Sequence, residues 1–147
     1  TVERWRRPWV SSIIFHLEAA EKPRAVLHRI RQLGKTPGLA LNPETPVERA
    51  LPYLPLLDTL LIMGVNPGWG GQALLPDTVS RITAARRFLG AKDLEVDGGV
   101  SAKTLPPLVA AGANLLVVGS ALNSKNFSAT YHQLNAIAHA TKKSPPD

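Results

Sequence analysis

Cysteine is absent from these 147 residues, which excludes disulfides and thiolate metal sites and leaves His, Asp and Glu as the side chains able to ligate a metal. No stretch is long and apolar enough to span a bilayer, so no membrane partner is expected. Charged residues are few, at 19% against 44% apolar, and a chain of this length and balance reads as one domain with a real core. The start, TVERWRRPWV, has arginines but no apolar run ending in small residues. It does not read as a secretory leader, and a cytoplasmic setting is expected.

Acidic residues are scarce as well, 11 against 17 Lys and Arg, for a net charge of +6. Such an excess invites a nucleic-acid reading, and its location argues against one. Eight of the cations (Arg4, Arg6, Arg7, Lys22, Arg24, Arg29, Arg31 and Lys35) lie within residues 1–36 with three Glu. They fall on stretches that read as helices, where a solvated outer face is the expected role. Trp5 and Trp9 are the aromatic candidates nearby, and no nucleic-acid motif accompanies them. No nucleic-acid partner is expected.

What the sequence does have is an alternation of short apolar runs with amphipathic segments, the pattern of βαβ units around a parallel sheet. Five runs qualify as strands: SSIIFHL (11–17), GLALN (38–42), TLLIMGV (59–65), LEVD (94–97) and LLVVG (115–119). Their near-continuous hydrophobicity fits strands covered on both faces. Between them, KPRAVLHRIRQLG places Ala25, Val26, Ile30 and Leu33 on one helical face, with Gly34 as its C-terminal stop. LPDTVSRITAARRFLG enters at Pro76 and Asp77 and leaves at Gly90. SAKTLPPLVAAGA begins with Ser101 as an N-cap and stops at Gly112, and Pro106 and Pro107 fit only its first turn or a kink. Pro43 and Pro46 read as helix-entry punctuation. A last helix over 128–141 precedes residues 142–147, which read as a frayed tail.

Function in such folds collects at the C-terminal ends of the strands. Three ends are rich in glycine: Asn66-Pro67-Gly68-Trp69-Gly70-Gly71, Asp97-Gly98-Gly99 and Gly119-Ser120. Glycines there expose backbone N–H groups, and a following helix N-terminus adds a positive dipole end, which together suit a phosphate dianion. Any single pair is more often a tight turn than a ligand cradle, and it is three such ends in consecutive units that favour the cradle. Trp69 reads as either a core plug or a lid. Asp97 ends an apolar strand, where a lone carboxylate is costly, so it is expected to have a partner or a metal. His16 and Glu18 lie two apart and face the same way, and a hydrogen-bonded histidine at the sheet's end is the preferred reading.

Taken in order, IIFHLEAAEKP, GLALNPETP, LLIMGVNPGWGGQ, LEVDGGVS and GANLLVVGSALN resemble the ribulose-phosphate 3-epimerase family, and even TVERWRRPWVSS resembles the helix before that family's fourth strand. The resemblance implies a ribulose-phosphate-binding (β/α)8 TIM barrel, here a partial barrel of about five parallel βα units, strands four to eight. It implies epimerisation of ribulose 5-phosphate to xylulose 5-phosphate in pentose-phosphate metabolism, or of another ketose phosphate such as allulose 6-phosphate. The family's chemistry uses a divalent metal (zinc, iron or manganese) and two aspartates on opposite faces of the substrate.

Asp97 matches one catalytic aspartate and one metal ligand. Gly68, Trp69, Gly70, Gly71, Asp97, Gly98, Gly99, Gly119 and Ser120 match substrate and phosphate contacts. Gly64 stands where many members have Ser, and Trp69 where they commonly have Phe; both changes read as tolerable. The family's first three βα units have no counterpart in these residues. They carry a His-x-Asp pair and a further His, hence three of four metal ligands and the second aspartate. His16-Leu17-Glu18 is flanked by strand-four residues and does not replace them. Five units alone imply either an open sheet that covers its edges, as by forming a homo-oligomer, or a fragment. Catalysis crippled beside an intact phosphate cradle, a phosphosugar-binding remnant or interaction protein, is the alternative function.

Overall fold

The computed structural model describes residues 2–123 and 126–143. Strands β1 (Ser12–His16), β2 (Thr36–Leu41), β3 (Thr59–Met63), β4 (Asp93–Asp97) and β5 (Leu115–Val117) form one sheet in that order. Every neighbouring pair is parallel. Parallel neighbours require crossovers. These run through helix α1 (Pro23–Gln32), a 3-10 helix at Val47–Tyr53, α2 (Thr78–Leu89) and α3 (Leu105–Ala110), and α4 (Phe127–Lys143) follows β5. The strand order never reverses, so the sheet has no switch point and is the wall of a partial TIM barrel. All five expected strands are present, with ends shifted by one or two residues.

Alternation divides each strand between two faces. Leu39, Leu41, Leu60, Ile62, Leu94 and Val96 are fully buried and pack with Leu27, Ile82 and Leu108 of the helices. Each such side chain contributes roughly 1.5–3 kcal/mol relative to exposure, and this layer is the main core. The opposite, inner face carries a smaller cluster of Ala40, Leu61 and Met63 with Ile14. Register sets Glu95 beside Leu61 and Leu115, and Asp97 beside Met63 and Val117. Leu115 and Val117 remain 40% and 39% exposed, so the inner face is only half covered.

Several local expectations need correction. The buried stripe of α1 is Leu27 and Ile30 rather than one including Ala25, which is exposed. The N-terminal segment forms a single 3-10 turn, Val2–Trp5, in place of the longer helix the resemblance implies. Ser101 opens a turn, exchanging hydrogen bonds with Thr104, and α3 itself starts at Leu105 with Pro106 and Pro107 in its first turn. The expected exits hold: Gly34 and Gly90 follow α1 and α2 at φ 70° and 62°. Lys142 and Lys143, assigned to the tail, continue α4; the rest of that tail lies outside the described residues. The basic N-terminal residues serve the surface, with Arg29 on Glu3, Arg31 on Asp58 and Lys35 on the Arg7 carbonyl. Among the described residues no helix is long and apolar enough to cross a membrane.

Candidate functional site

All five residues of β3, TLLIM, are buried, so the chain reaches the rim of the sheet with no polar side chain to steer it. Backbone bonds do the steering. The Gly64 N–H donates to the Asp97 carbonyl at 2.7 Å, and the Leu75 N–H returns to the Gly64 carbonyl at 2.9 Å. Between these anchors the loop is fastened by Gln72, whose Nε2 donates to the carbonyls of Asn66 (2.7 Å) and Trp69 (2.9 Å).

The glycines of the three rims have different physical reasons. A Cβ at Gly99, where φ is 70°, would lie 2.6 Å from the Leu74 Cα, and one at Gly98 would meet the Val65 side chain at 2.3 Å. That pair lets the β3 and β4 loops touch. Around Gly68, Gly70, Gly71 and Gly119, by contrast, an added Cβ meets nothing within 4 Å. Their bareness relieves no crowding within the protein and leaves open space beside the main chain.

That space is a cavity of about 290 Å3. Gly68, Trp69, Gly70 and Gly71 line it from the β3 loop, Asp97, Gly98 and Gly99 from β4, and Gly119 and Ser120 from β5. Met63 and Val117 form apolar wall beside them. Every residue singled out at the three rims therefore borders one cavity. Trp69 is 70% exposed, which removes the core-plug alternative. Helix dipoles contribute less than expected: α2 begins only at Thr78 and α3 at Leu105, and a three-residue 3-10 turn, Ser120–Leu122, follows Gly119. What the lining offers an anion is the open backbone of Gly68, Gly70, Gly71 and Gly119 together with the side chains of Asn66, Trp69 and Ser120.

Among the described residues, Asp97 is the one carboxylate bordering the cavity. Its side chain is half-buried rather than buried, which lowers the desolvation cost behind the expectation of a partner. Among the described residues no group of three or more His, Cys, Asp or Glu is placed to hold a metal ion, so these residues do not fit a resident metal. His16 ends β1, with its Nδ1 3.7 Å from Glu18 Oε2 and without a hydrogen bond. Glu18 instead accepts from the Asn42 N–H at 3.0 Å and the Thr45 hydroxyl. Burial works to raise the Glu18 carboxyl, but these bonds outweigh it and hold it below its ordinary value. The expected hydrogen-bonded histidine is thus not found among the described residues: His16 Nδ1 is buried without a partner, because the chain leaves β1 for a 3-10 turn at Leu17–Ala19 and Glu18 is engaged by Asn42 and Thr45.

Three residues escaped the sequence reading. Gln72 was signalled only by a long polar side chain directly after a glycine run. Arg81 donates to the carbonyls of Met63 (3.1 Å), Asn42 (2.8 Å) and Thr45 (3.1 Å), tying the ends of β2 and β3 together. Burial pulls its pKa down against the pull of Asp77, Glu44 and Glu18. The signal was its helical position, three after Thr78 and four before Ala85, both buried. Glu95 faces the barrel interior two residues before Asp97, where burial first, then Asp97 and Asp93, push its carboxyl up.

Residues 2–123 match the model of the ribulose-phosphate 3-epimerase family. Among curated proteins, the chain is 39% identical over 128 residues to the ribulose-phosphate 3-epimerase of Mycobacterium leprae, covering 82% of this chain and 57% of the relative. It is 41% identical over 112 residues to that of Schizosaccharomyces pombe, covering 76% and 49%. The chain spans about half the length of the curated relatives it matches. Among solved structures, a chain of the Amycolatopsis orientalis BexX/CysO complex superimposes with a TM-score of 0.64 at 19% identity, over 85% of this chain and 52% of that one, a likeness of fold.

Proposed function

The chain belongs to the ribulose-phosphate 3-epimerase family, and from that premise we propose that it binds a phosphorylated ketose in the glycine-lined cavity. We place Asp97 there for proton transfer at the carbon beside the ketone. The substrate is ribulose 5-phosphate, the product of full turnover is xylulose 5-phosphate, and the setting is cytoplasmic, with the chain acting as a single partial-barrel domain. One observation carries this reading: three successive strand ends deliver bare backbone and one carboxylate to the same cavity.

The chemistry follows from those parts. Backbone N–H groups around Gly68 to Gly71 and Gly119 hold the phosphate without any side chain having to reorganise. A sugar held there at its phosphate places its carbon chain toward Asp97, whose carboxylate can take the proton beside the ketone. Returning a proton to the opposite face needs a second acid. Asp97 is alone among the described residues bordering the cavity in being able to move one. The same group can remove a proton and give one back to the same face, which exchanges hydrogen with solvent and inverts nothing. A divalent metal belongs to the family's chemistry, and of the residues here Asp97 matches a ligand.

The test is deuterium uptake from D2O at carbon 3 of ribulose 5-phosphate by the purified chain, with and without added divalent metal, beside calorimetric binding of the sugar. Binding with exchange and without xylulose 5-phosphate is the expected result. Failure of a folded sample to bind the sugar overturns the reading. Binding without exchange would support the second reading, a phosphosugar-binding protein without turnover, which the lack of a metal-holding group among the described residues favours.

A further inference from the structure

Glycine gives the β3 loop an open backbone and leaves that backbone free to turn over. The loop's backbone anchors sit at its ends, Gly64 on the Asp97 carbonyl and Leu75 on the Gly64 carbonyl. Within it, Gly68 and Gly71 take φ of 148° and 81°, and a Cβ added at Gly70 meets nothing within 4 Å. A peptide unit beside such residues rotates at little steric cost, and its rotation exchanges a donor for an acceptor. Against a phosphate dianion the exchange is decisive: an N–H attracts it and a carbonyl oxygen repels it.

Gln72 closes this run with its amide turned onto the loop. Its Nε2 donates to the Asn66 carbonyl at 2.7 Å and to the Trp69 carbonyl at 2.9 Å. Two acceptors fix which end of the amide faces them, because its NH2 group alone has protons to give. The two carbonyls matter differently. That of Asn66 belongs to the Asn66-Pro67 peptide, which has no N–H, so untied it offers an anion an acceptor and nothing else. That of Trp69 shares a trans peptide with the Gly70 N–H, and the two point in opposite directions. Tying the carbonyl to Gln72 turns the Gly70 N–H away from that side chain, where among the described residues no protein acceptor meets it. Asn66, Trp69, Gly70 and Gln72 all border the same cavity.

We propose that Gln72 is a positioning residue for the phosphate: it holds the Asn66 and Trp69 carbonyls on its own amide, so that the loop presents the Gly70 N–H, and not those oxygens, to the anion. The inference rests on the phosphorylated-ketose reading of the cavity and adds to it the group that fixes the polarity of the loop. Gln72 has no part in proton transfer. It acts through the backbone, and the ligand chemistry it serves is a phosphate dianion, free or esterified to a sugar.

The experiment titrates inorganic phosphate, and separately ribulose 5-phosphate, into the isotope-labelled chain and follows its amides by nuclear magnetic resonance. In the wild-type chain the Gly70 N–H should shift as ligand is added, while the Gln72 side-chain NH2 holds its position because it stays on its two carbonyls. Gln72→Leu unties both carbonyls and should weaken binding by about tenfold or more. Gln72→Glu keeps the shape but sets oxygens against oxygens and adds a negative charge, so it should weaken binding further. At saturating ligand the Gly70 N–H should no longer respond in either variant, whereas a merely structural role would lower affinity and leave Gly70 the responding amide. Melting temperatures on the same samples check the fold. Gln72→Leu that binds as tightly as the wild-type chain overturns the proposal. So does a wild-type chain that binds while Gly70 stays still, a result that needs no variant should both unfold. A response to the sugar phosphate without one to free phosphate upholds the proposal and assigns the loop to the esterified anion. Wild-type protein that binds neither ligand overturns the functional reading and this inference with it, whereas equal binding by wild type and variant sinks this inference alone.

Discussion

The Gly64 N–H and the Asp97 carbonyl lie 2.7 Å apart, so the first residue of the β3 loop is tied to the residue that carries the site's carboxylate. The contact leaves no room for a side chain. A Cβ at Gly64 would stand 2.5 Å from the Gly98 carbonyl oxygen and 2.8 Å from Leu74 Cδ1. Gly at a position where the resemblance puts Ser in many members therefore goes with a close approach of the β3 and β4 loops. Gly64→Ser should cost about 1–3 kcal/mol, read as a lower melting temperature together with weaker sugar binding. A Ser variant as stable as the parent would show that the two loops can part without strain.

Arg81 holds the other side of the same peptide unit, through the Met63 carbonyl, and reaches Asn42 and Thr45 as well. Arg81→Met leaves those carbonyls without their charged donor and should destabilise the fold by on the order of 2 kcal/mol. Arg81→Lys should rescue little, because an ammonium is a point charge and cannot reproduce the planar fork. Denaturant midpoints measure both, and amide exchange at Gly64 should quicken in both. Full rescue by Lys would mean that charge, and not the fork, is what the rim requires.

The strands and the rim glycines were legible because their signals are local: unbroken apolar runs such as TLLIM, and glycines gathered after them. LEVD was read only as one of the apolar runs and gave no register, so Glu95 could not be placed on the same face as Asp97 and Leu115. Arg81 was hidden by its type, since a cation on a surface helix reads as solvated until the carbonyls it meets, 18 to 39 residues away, are known. Ala25 and Leu27 were exchanged for a related reason. Periodicity gives a stripe's spacing, and the contacts with β2 fix its phase.

Asp97→Asn keeps the shape of the side chain and removes its basicity. Deuterium exchange into ribulose 5-phosphate should fall by about 100-fold or more, while affinity for the sugar stays close to that of the parent because the phosphate is held by backbone. Stability should change by less than about 1 kcal/mol for a half-exposed group. Equal loss of exchange and binding would assign Asp97 a structural task.

Glu95 gives the pH dependence its sign. Burial first, and then Asp97 and Asp93, raise its carboxyl above the ordinary 4.5, so the folded protein holds the proton more tightly than the unfolded chain does. A group of this kind contributes its stability fully below the unfolded value, and loses it as pH rises through the raised folded value. At neutral pH the Glu95 carboxylate therefore works against the fold, by an amount that solvent at this partly exposed site reduces. Glu95→Gln should leave the melting temperature nearly unchanged at pH 4 and raise it at pH 8. Added salt should narrow the difference only in part, because screening weakens the repulsion from Asp97 and Asp93 and does nothing to burial. A variant that melts lower than the parent at pH 8 would mean that the carboxylate has a cationic partner on the inner face.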